Sequence, residues 1–149
     1  MKIEDAIKQK SFKSEDEKLV INLSFTLSWL VSEQSRFFKQ FAISPEQYNV
    51  LRILRGQGNN PASVSLIQDR MLDRMSNASR LIEKLKVKSF VMRNACPNDR
   101  RQVDVMITEK GLSLLAEIDR MDEQMHSMCN SLTKEEKETL NKLLDKLRN

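Results

Sequence analysis

The chain has 149 residues, of which 40% are hydrophobic and 31% are charged. This length suits one domain with its own core, and no apolar run approaches the roughly 18 residues that a membrane span needs. Two cysteines without metal-ligand spacing exclude a disulfide scaffold, and three glycines argue against a glycine-lined nucleotide fold. We therefore expect a cytoplasmic, mainly helical protein with no cofactor, no metal and no membrane partner.

The positive charge is concentrated in the middle of the chain. Residues 65–101 carry nine basic and four acidic residues, a net charge of +5, whereas residues 1–64 carry +2 and residues 102–149 carry −3. A concentrated positive segment is where a phosphate backbone would bind. A solvated charged face without a partner would give the same pattern.

The first regular helical pattern begins at Leu19, so we treat residues 1–18 as an amino-terminal arm and residues 19–149 as a single domain. Two apolar faces follow at helical spacing. The first consists of Leu19, Leu23, Leu27, Leu30, Val31, Phe38 and Phe41, and the second of Ile21, Phe25 and Trp29. One face suits the core, so the other predicts an oligomer contact over residues 19–43, or a central place in a monomer.

Two short helices and a tight turn follow, which together predict a helix-turn-helix. Ser44 and Pro45 open a preceding helix that ends near Gly56, and Ser63 caps the first short helix of the pair. Asp73 or Ser76 is predicted to cap the second, whose inner side carries Ala78, Leu81, Ile82 and Leu85. Its outer residues suit phosphates and base edges. The predicted contacts from this helix are Ser76, Asn77, Ser79, Arg80 and Lys84.

Beyond Ser89 the apolar period changes from helical to alternating, which predicts two strands over residues 90–95 and 102–107. The loop between them contains turn residues and two arginines. A helix-turn-helix followed by a hairpin with a basic tip is a winged helix, and such a tip can reach a narrow minor groove. The predicted contacts from the tip are Asn98, Asp99, Arg100 and Arg101.

Two carboxy-terminal helices are predicted over residues 109–149. Thr108 caps a long helix whose apolar residues run through Met128, and Thr133 with Glu136 forms a capping box for the last helix. The last helix carries Leu140, Leu143, Leu144 and Leu147. The fold class is therefore mainly α with a small β-hairpin, in which residues 44–108 form the winged part and the terminal helices form a dimerisation domain.

The order of these elements and their residues resemble the MarR family of bacterial transcription regulators. The resemblance rests on Asn77-Ala78-Ser79-Arg80-Leu81, Asp99-x-Arg101 and Thr108-x-x-Gly111, and it covers roughly residues 19–147. It implies a winged-helix homodimer that binds pseudo-palindromic operator DNA and that a small ligand or cysteine oxidation releases. In its first 43 residues the chain lacks the cysteine that redox-sensing members usually carry there, and Ser89 stands where the family usually has glycine.

The predicted function is a sequence-specific DNA-binding transcriptional regulator, specifically a repressor, that a small-molecule ligand releases. The alternative is a winged-helix module that binds protein or structured RNA. An enzyme is disfavoured because His126 is the only histidine. An aromatic or amphipathic effector is expected to bind Trp29, Phe37, Phe38 and Tyr48. We expect neither Cys96 nor Cys129 to be the regulatory switch.

Overall fold

The computed structural model describes residues 1–99 and 101–149, and these form two compact units, Met1–Pro45 and Glu46–Asn149. The helices are α1 (Ile3–Ile7), α2 (Glu15–Lys39), α3 (Pro45–Gly56), α4 (Val64–Arg70), α5 (Ala78–Val87), α6 (Glu109–Asp119), α7 (Asp122–Met125) and α8 (Lys134–Leu147), with a 3₁₀ turn at Ser127–Cys129. The strands are β1 (Ala62–Ser63), β2 (Val91–Ala95) and β3 (Val103–Ile107). The predicted fold class, mainly α with a small β-sheet, is confirmed.

Helix α2 begins earlier than the apolar pattern predicted. The Ser14 side chain accepts a hydrogen bond from the Glu17 backbone N–H at 3.1 Å, and three acidic residues fill the first turn. A capping hydroxyl and acidic residues near the positive end of the helix dipole stabilise a helix start without any apolar residue. The predicted arm, residues 1–18, thus contains α1 and the first turn of α2, and Glu4 of α1 pairs with Lys18 of α2 at 2.7 Å.

Most apolar residues of α2 are exposed to solvent. Only Phe37 and Phe38 are buried along its 25 residues. Their rings meet edge to face with centroids 5.1 Å apart, and Phe41 lies 5.6 Å from Phe37. Other large apolar side chains stay at least one-third exposed, namely Leu19, Val20, Phe25, Leu27, Trp29 and Val31. A helix with this much exposed apolar surface presents a face that suits a partner.

The second unit has a core built from α3 to α6 and the sheet. Its fully buried side chains include Val50, Leu51, Leu54, Ile67, Ile82, Leu85, Val105, Leu115 and Ile118. The sheet has the strand order β1-β3-β2, with all pairs antiparallel. Val91 pairs with Ile107 and Ala95 pairs with Val103, so the predicted hairpin is present. The additional strand β1 pairs Ala62 with Val105 on the other side of β3.

The predicted caps of three helices are present. Ser63 accepts from the Leu66 N–H and Thr108 accepts from the Gly111 N–H, each at 3.1 Å. Thr133 and Glu136 exchange reciprocal hydrogen bonds, which is the capping box. Helix α3 begins at Pro45 and ends at Gly56, as the sequence predicted.

The prediction of one long helix from Thr108 through Met128 was wrong. Helix α6 ends at Asp119, and the chain continues through the single turn α7 and a 3₁₀ turn. The Met121 N–H donates to the Ile118 carbonyl, an i to i+3 bond. Residues three apart share a side in both an α-helix and a 3₁₀-helix. The mostly three-residue apolar spacing therefore does not reveal where the geometry changes.

Helix α8 buries none of its residues. Leu140, Leu143 and Leu147 are each about half exposed, and a shallow groove beside them is lined by Leu132, Glu135, Glu136 and Thr139. Among the described residues, no helix combines the length and the apolar character that crossing a membrane requires. The exposed leucines of α8 therefore form a short apolar stripe on an otherwise charged helix.

Candidate nucleic-acid interface

Helix α5 is held by its inner face and exposes a polar outer face. Ala78, Ile82 and Leu85 are buried with almost no exposed surface. Since they recur at three- and four-residue spacing, they leave the opposite face to solvent. The exposed residues there are Ser79, Arg80, Glu83 and Lys84, which include the predicted contacts Ser79, Arg80 and Lys84. Two cations and a hydroxyl on one exposed helical face can bind phosphates and the acceptor edges of bases.

The cap of α5 differs from both predicted candidates. The Asn77 side-chain oxygen accepts a hydrogen bond from the Arg80 backbone N–H at 3.0 Å, so Asn77 is the N-cap. Asp73 and Ser76 instead bond to each other in the turn that precedes α5. Asn ranks with Asp and Ser as a capping residue, so local preference alone did not separate these candidates. Because the cap uses the Asn77 oxygen, the side-chain amide nitrogen is the atom that remains for a donor contact.

The turn before α5 is closed by Asp73. One oxygen of its carboxylate accepts from the Met75 N–H at 2.9 Å and the other accepts from the Ser76 hydroxyl at 3.1 Å. The Ser76 N–H donates to the Asp73 carbonyl at 3.1 Å. An aspartate that accepts from the residue two positions ahead forms an Asx turn. The predicted contact residue Ser76 therefore has a structural bond at its hydroxyl.

Gln68 of α4 connects the two helices of the helix-turn-helix. Its side-chain oxygen accepts from the Ala78 N–H at 3.0 Å, at the first residue of α5. Its side-chain nitrogen donates to the Ser76 carbonyl at 2.8 Å and to the Arg74 carbonyl at 3.3 Å. One glutamine thus fixes the turn and the start of α5 relative to α4. Sequence reasoning missed it, because these contacts span six to ten residues and follow no periodic pattern.

Ser89, just after the end of α5, adopts a left-handed backbone conformation. Its φ is 63°, a value that favours glycine. The Ser89 N–H donates to the Lys86 carbonyl at 2.9 Å and the Phe90 N–H donates to the Leu85 carbonyl at 3.0 Å. These two bonds form a Schellman motif. The departure from glycine noted in the sequence therefore leaves the geometry intact and places a serine in a strained conformation.

The Thr108-x-x-Gly111 motif joins the end of α5 to the start of α6. The Thr108 hydroxyl donates to the Ser89 carbonyl at 2.7 Å while accepting from the Gly111 N–H. Gly111 is buried, and a Cβ built on it would lie 2.4 Å from the Phe90 carbonyl oxygen and 2.7 Å from a side-chain carbon of Ile107. The glycine is therefore required by close packing rather than by φ.

An ion pair links α5 to the strand that leads into the wing. The Arg93 guanidinium on β2 contacts the Glu83 carboxylate on α5, and both side chains are partly exposed. A pair of this kind contributes little to overall stability. It joins α5 to β2, and it occupies the one acidic residue of the α5 outer face.

The wing tip is closed by main-chain contacts of Asp99. The Asp99 carboxylate accepts from the backbone N–H of Arg101 at 2.9 Å, and the Asp99 carbonyl accepts from the Gln102 N–H at 2.9 Å. The Cys96 N–H donates to the Gln102 carbonyl at 3.0 Å. Asn98, Asp99 and Arg101 are exposed, whereas Arg100 lies outside the described residues. Asp99 thus shapes the loop that presents Arg101.

The four residues predicted to bind an effector lie in two different units. Trp29, Phe37 and Phe38 belong to α2, and Tyr48 belongs to α3. Phe38 is 2% exposed, whereas Trp29 is 42% exposed. Burial raises the pKa of the Tyr48 hydroxyl above its usual value. The Tyr48 hydroxyl is therefore protonated at neutral pH.

Comparison with known proteins gives a consistent result. Residues 43–103 match the model of the MarR family. The chain is 30% identical over 129 residues to the HTH-type transcriptional regulator MhqR of Bacillus subtilis, covering 78% of this chain and 88% of that protein. It is 26% identical over 151 residues to the transcriptional repressor MprA of Escherichia coli, covering 97% and 86%. These relatives are regulators rather than enzymes.

A solved structure has the same fold. Bordetella bronchiseptica BpsR, whose structure concerns the regulation of its DNA binding by 6-hydroxynicotinic acid, superposes with a TM-score of 0.77. It is 25% identical, and the alignment covers 89% of this chain and all of that one. The winged helix-turn-helix, the Thr108-x-x-Gly111 junction and the similarity over most of the sequence lead to one conclusion: the chain belongs to the MarR family.

Proposed function

We propose that the protein is a sequence-specific DNA-binding transcriptional regulator that acts as a homodimer in the cytoplasm. The observation that carries this proposal is the fixed presentation of α5. Its inner face is buried, its start is held by Gln68 and Asn77, and its outer face presents Ser79, Arg80 and Lys84. A rigid helix with a polar, cationic outer face suits the major groove of duplex DNA.

The individual residues have separable roles in this proposal. Arg80 reads base edges, since a guanidinium pairs in a bidentate way with guanine. Ser79, Asn77 and Lys84 contact the bases or phosphates beside it, and Ser76 contributes through the turn. The wing reaches the minor groove through Arg101, which Asp99 presents. Asn98 and Arg100 are the other proposed contacts of the wing. Because the minor groove and phosphates carry little sequence information, the wing supplies affinity and α5 supplies specificity.

The homodimer rests on the exposed apolar surface of the terminal helices. Leu27 of α2 is 63% exposed, and Leu143 of α8 is 57% exposed. Contiguous apolar faces of this kind mark protein interfaces. A two-fold dimer presents two copies of α5, which requires half-sites about 10 base pairs apart, centre to centre. The operator is therefore pseudo-palindromic.

The proposed mode of control is release from DNA by a small aromatic or amphipathic molecule, with the protein acting as a repressor. Support comes from the relatives, since MprA is a repressor and the DNA binding of BpsR is regulated by 6-hydroxynicotinic acid. Trp29, Phe37, Phe38 and Tyr48 are the proposed contacts. Trp29 offers an exposed ring, and Tyr48 adds an aromatic side chain with a neutral hydroxyl.

The test is selection of binding sites from a random duplex library, followed by salt titration of the selected operator and a scrambled duplex. We expect a two-fold symmetric site and an affinity that falls steeply with salt. Arg101→Ala should weaken binding to both duplexes and reduce the salt slope by about one unit. Arg80→Ala should reduce affinity for the operator by about 1–3 kcal/mol and relax preference at particular base pairs.

Arg148→Ala is the matched control, since this arginine lies at the carboxy-terminal end of α8, outside the winged part. It should leave the salt slope and the preferred sequence unchanged. If no duplex is enriched and Arg101→Ala has no effect on a folded protein, DNA binding is contradicted. Enrichment of a structured RNA or a protein partner instead would support the alternative function of a winged-helix module.

A further inference from the structure

Two large apolar side chains stand almost fully exposed in the turn of the helix-turn-helix. Leu72 is 89% exposed and Met75 is 92% exposed, and both lie between α4 and α5. Apart from Met1 at the terminus, no other large apolar residue in the described part of the chain is as exposed. Turns favour Gly, Pro, Asn, Asp and Ser, so two such side chains within four residues need an explanation.

The backbone that carries this pair is fixed rather than loose. The Leu72 N–H donates to the Asn49 side chain of α3 at 2.9 Å, and the Met75 N–H donates to the Asp73 carboxylate at 2.9 Å. The Arg74 carbonyl between them accepts from Gln68. A surface loop that merely tolerated apolar residues would not require these restraints. The turn therefore holds both side chains outward in a defined place.

The surroundings indicate which partner this place suits. The segment from Arg70 to Arg80 contains three arginines and one aspartate, and that aspartate, Asp73, already accepts the two bonds of its turn. Two residues separate Met75 from Ala78, the first residue of α5. These apolar side chains have cationic neighbours and lie at the amino-terminal end of α5, the helix proposed to enter the major groove. They therefore suit the wall of the major groove. The major groove is bordered by phosphates and presents the apolar C5-methyl groups of thymine.

We propose that Leu72 and Met75, here called the apolar turn pair, contact thymine C5-methyl groups in the major groove and add a preference for thymine at the corresponding positions of each half-site. This inference rests on the proposed DNA-binding function. Arg80 reads bases through hydrogen bonds, whereas the apolar turn pair reads a methyl group by removing it from water. The fixed backbone limits the entropy lost on binding, because only side-chain torsions remain to be ordered.

The test compares the selected operator with versions in which each thymine is replaced, one position at a time, by deoxyuridine. This change removes only the methyl group. Burial of one methyl group corresponds to about a fourfold change in affinity. The wild-type protein should therefore lose about fourfold at symmetry-related thymines in both half-sites. The double variant Leu72→Gln/Met75→Gln should bind the original operator more weakly and show no penalty for deoxyuridine.

Val87→Gln is the matched control, since Val87 is 84% exposed at the other end of α5. It should keep the full deoxyuridine penalty. Thermal unfolding of all three proteins checks that the exposed substitutions leave the fold intact. If the wild type binds its operator with steep salt dependence but tolerates deoxyuridine everywhere, or if the double variant keeps the penalty, this inference is overturned while DNA binding stands. If the wild type selects no duplex, both proposals are overturned.

Discussion

The winged part and the terminal helices differ in whether their apolar residues are buried within one chain. Helix α5 buries Ala78, Ile82 and Leu85 within its own unit and fixes both ends with defined hydrogen bonds. Helix α8 has an equally regular apolar stripe and a complete capping box, yet it buries no residue. Regular apolar spacing and helix caps therefore occur in both regions, and the two regions differ in the burial of their apolar residues.

The two regions therefore differ in whether one chain completes them. The winged part already has a packed core and an outer face that is fixed for an external partner. The terminal helices expose apolar surface that a second copy would bury. Substitutions within the winged part should therefore act through stability or the orientation of α5. Substitutions on the exposed stripes should act through assembly.

The largest effect is expected at the junction behind α5. Gly111→Ala places a Cβ 2.4 Å from the Phe90 carbonyl, so the strand end and α6 must separate. We expect a loss of about 3 kcal/mol in the free energy of unfolding, measured by urea denaturation. Gly56→Ala is the control, because a Cβ there meets nothing within 4 Å. Equal stability of the two variants would contradict the packing described here.

Removal of the link between α4 and α5 should give the next largest effect. Gln68→Ala deletes three hydrogen bonds at the turn and leaves the Ala78 N–H without its acceptor. We expect a loss of about 2 kcal/mol in stability, together with weaker binding of the selected operator. Gln124→Ala, an exposed position on α7, should stay within about 0.5 kcal/mol of wild type. A Gln68→Ala protein with wild-type stability and wild-type affinity would contradict the role of Gln68 in fixing the turn and the start of α5.

Two substitutions of Asn77 distinguish its role as a helix cap from its proposed role as a base contact. Asn77→Ala should lower stability by about 1 kcal/mol, because the Arg80 N–H loses its acceptor. Asn77→Ser keeps a capping oxygen and should retain most of that stability. The comparison of the two variants by urea denaturation and by operator binding measures each role. If Asn77→Ser were as unstable as Asn77→Ala, the cap would not explain the residue.

Ser89 should give the smallest effect, and it has the opposite sign. Ser89→Gly relieves a positive φ of 63° while keeping the Schellman bonds, so we expect a gain of about 0.5 kcal/mol. The same substitution at Ser113, an exposed position inside α6, should instead reduce stability by about 0.5 kcal/mol. Thermal unfolding of both variants gives the comparison. A loss at Ser89 would mean that its side chain contributes more than its backbone costs.

Local patterns predicted the parts of the molecule that depend on neighbouring residues. The caps at Ser63, Thr108 and Thr133 and the inner face of α5 all follow from residues within one or two turns. The paired strands likewise follow from alternation and a turn-rich loop. These features have a short sequence separation, so propensity and spacing are sufficient to place them.

The features that sequence reasoning missed depend on contacts between separate elements. Gln68 and the Glu83–Arg93 pair connect residues that are six to ten positions apart across different elements. Strand β1 has only two residues, and its pairing with β3 spans about forty positions. At the start of α5 the Ala78 N–H donates to Gln68 of α4, and the Arg80 N–H donates to the cap residue Asn77. Contacts between separate elements are not encoded by any single-segment pattern.

The winged part is complete in one chain, whereas the terminal helices α2 and α8 require a second copy to cover their apolar faces. Sedimentation equilibrium of the wild type and of Leu143→Glu at micromolar concentration tests it most directly. We predict that the wild type has twice the 17.4 kDa mass of one chain and that Leu143→Glu shifts toward the monomer, because it places a charge in the apolar stripe. A monomeric wild type, or a Leu143→Glu dimer of unchanged affinity, would contradict the claim.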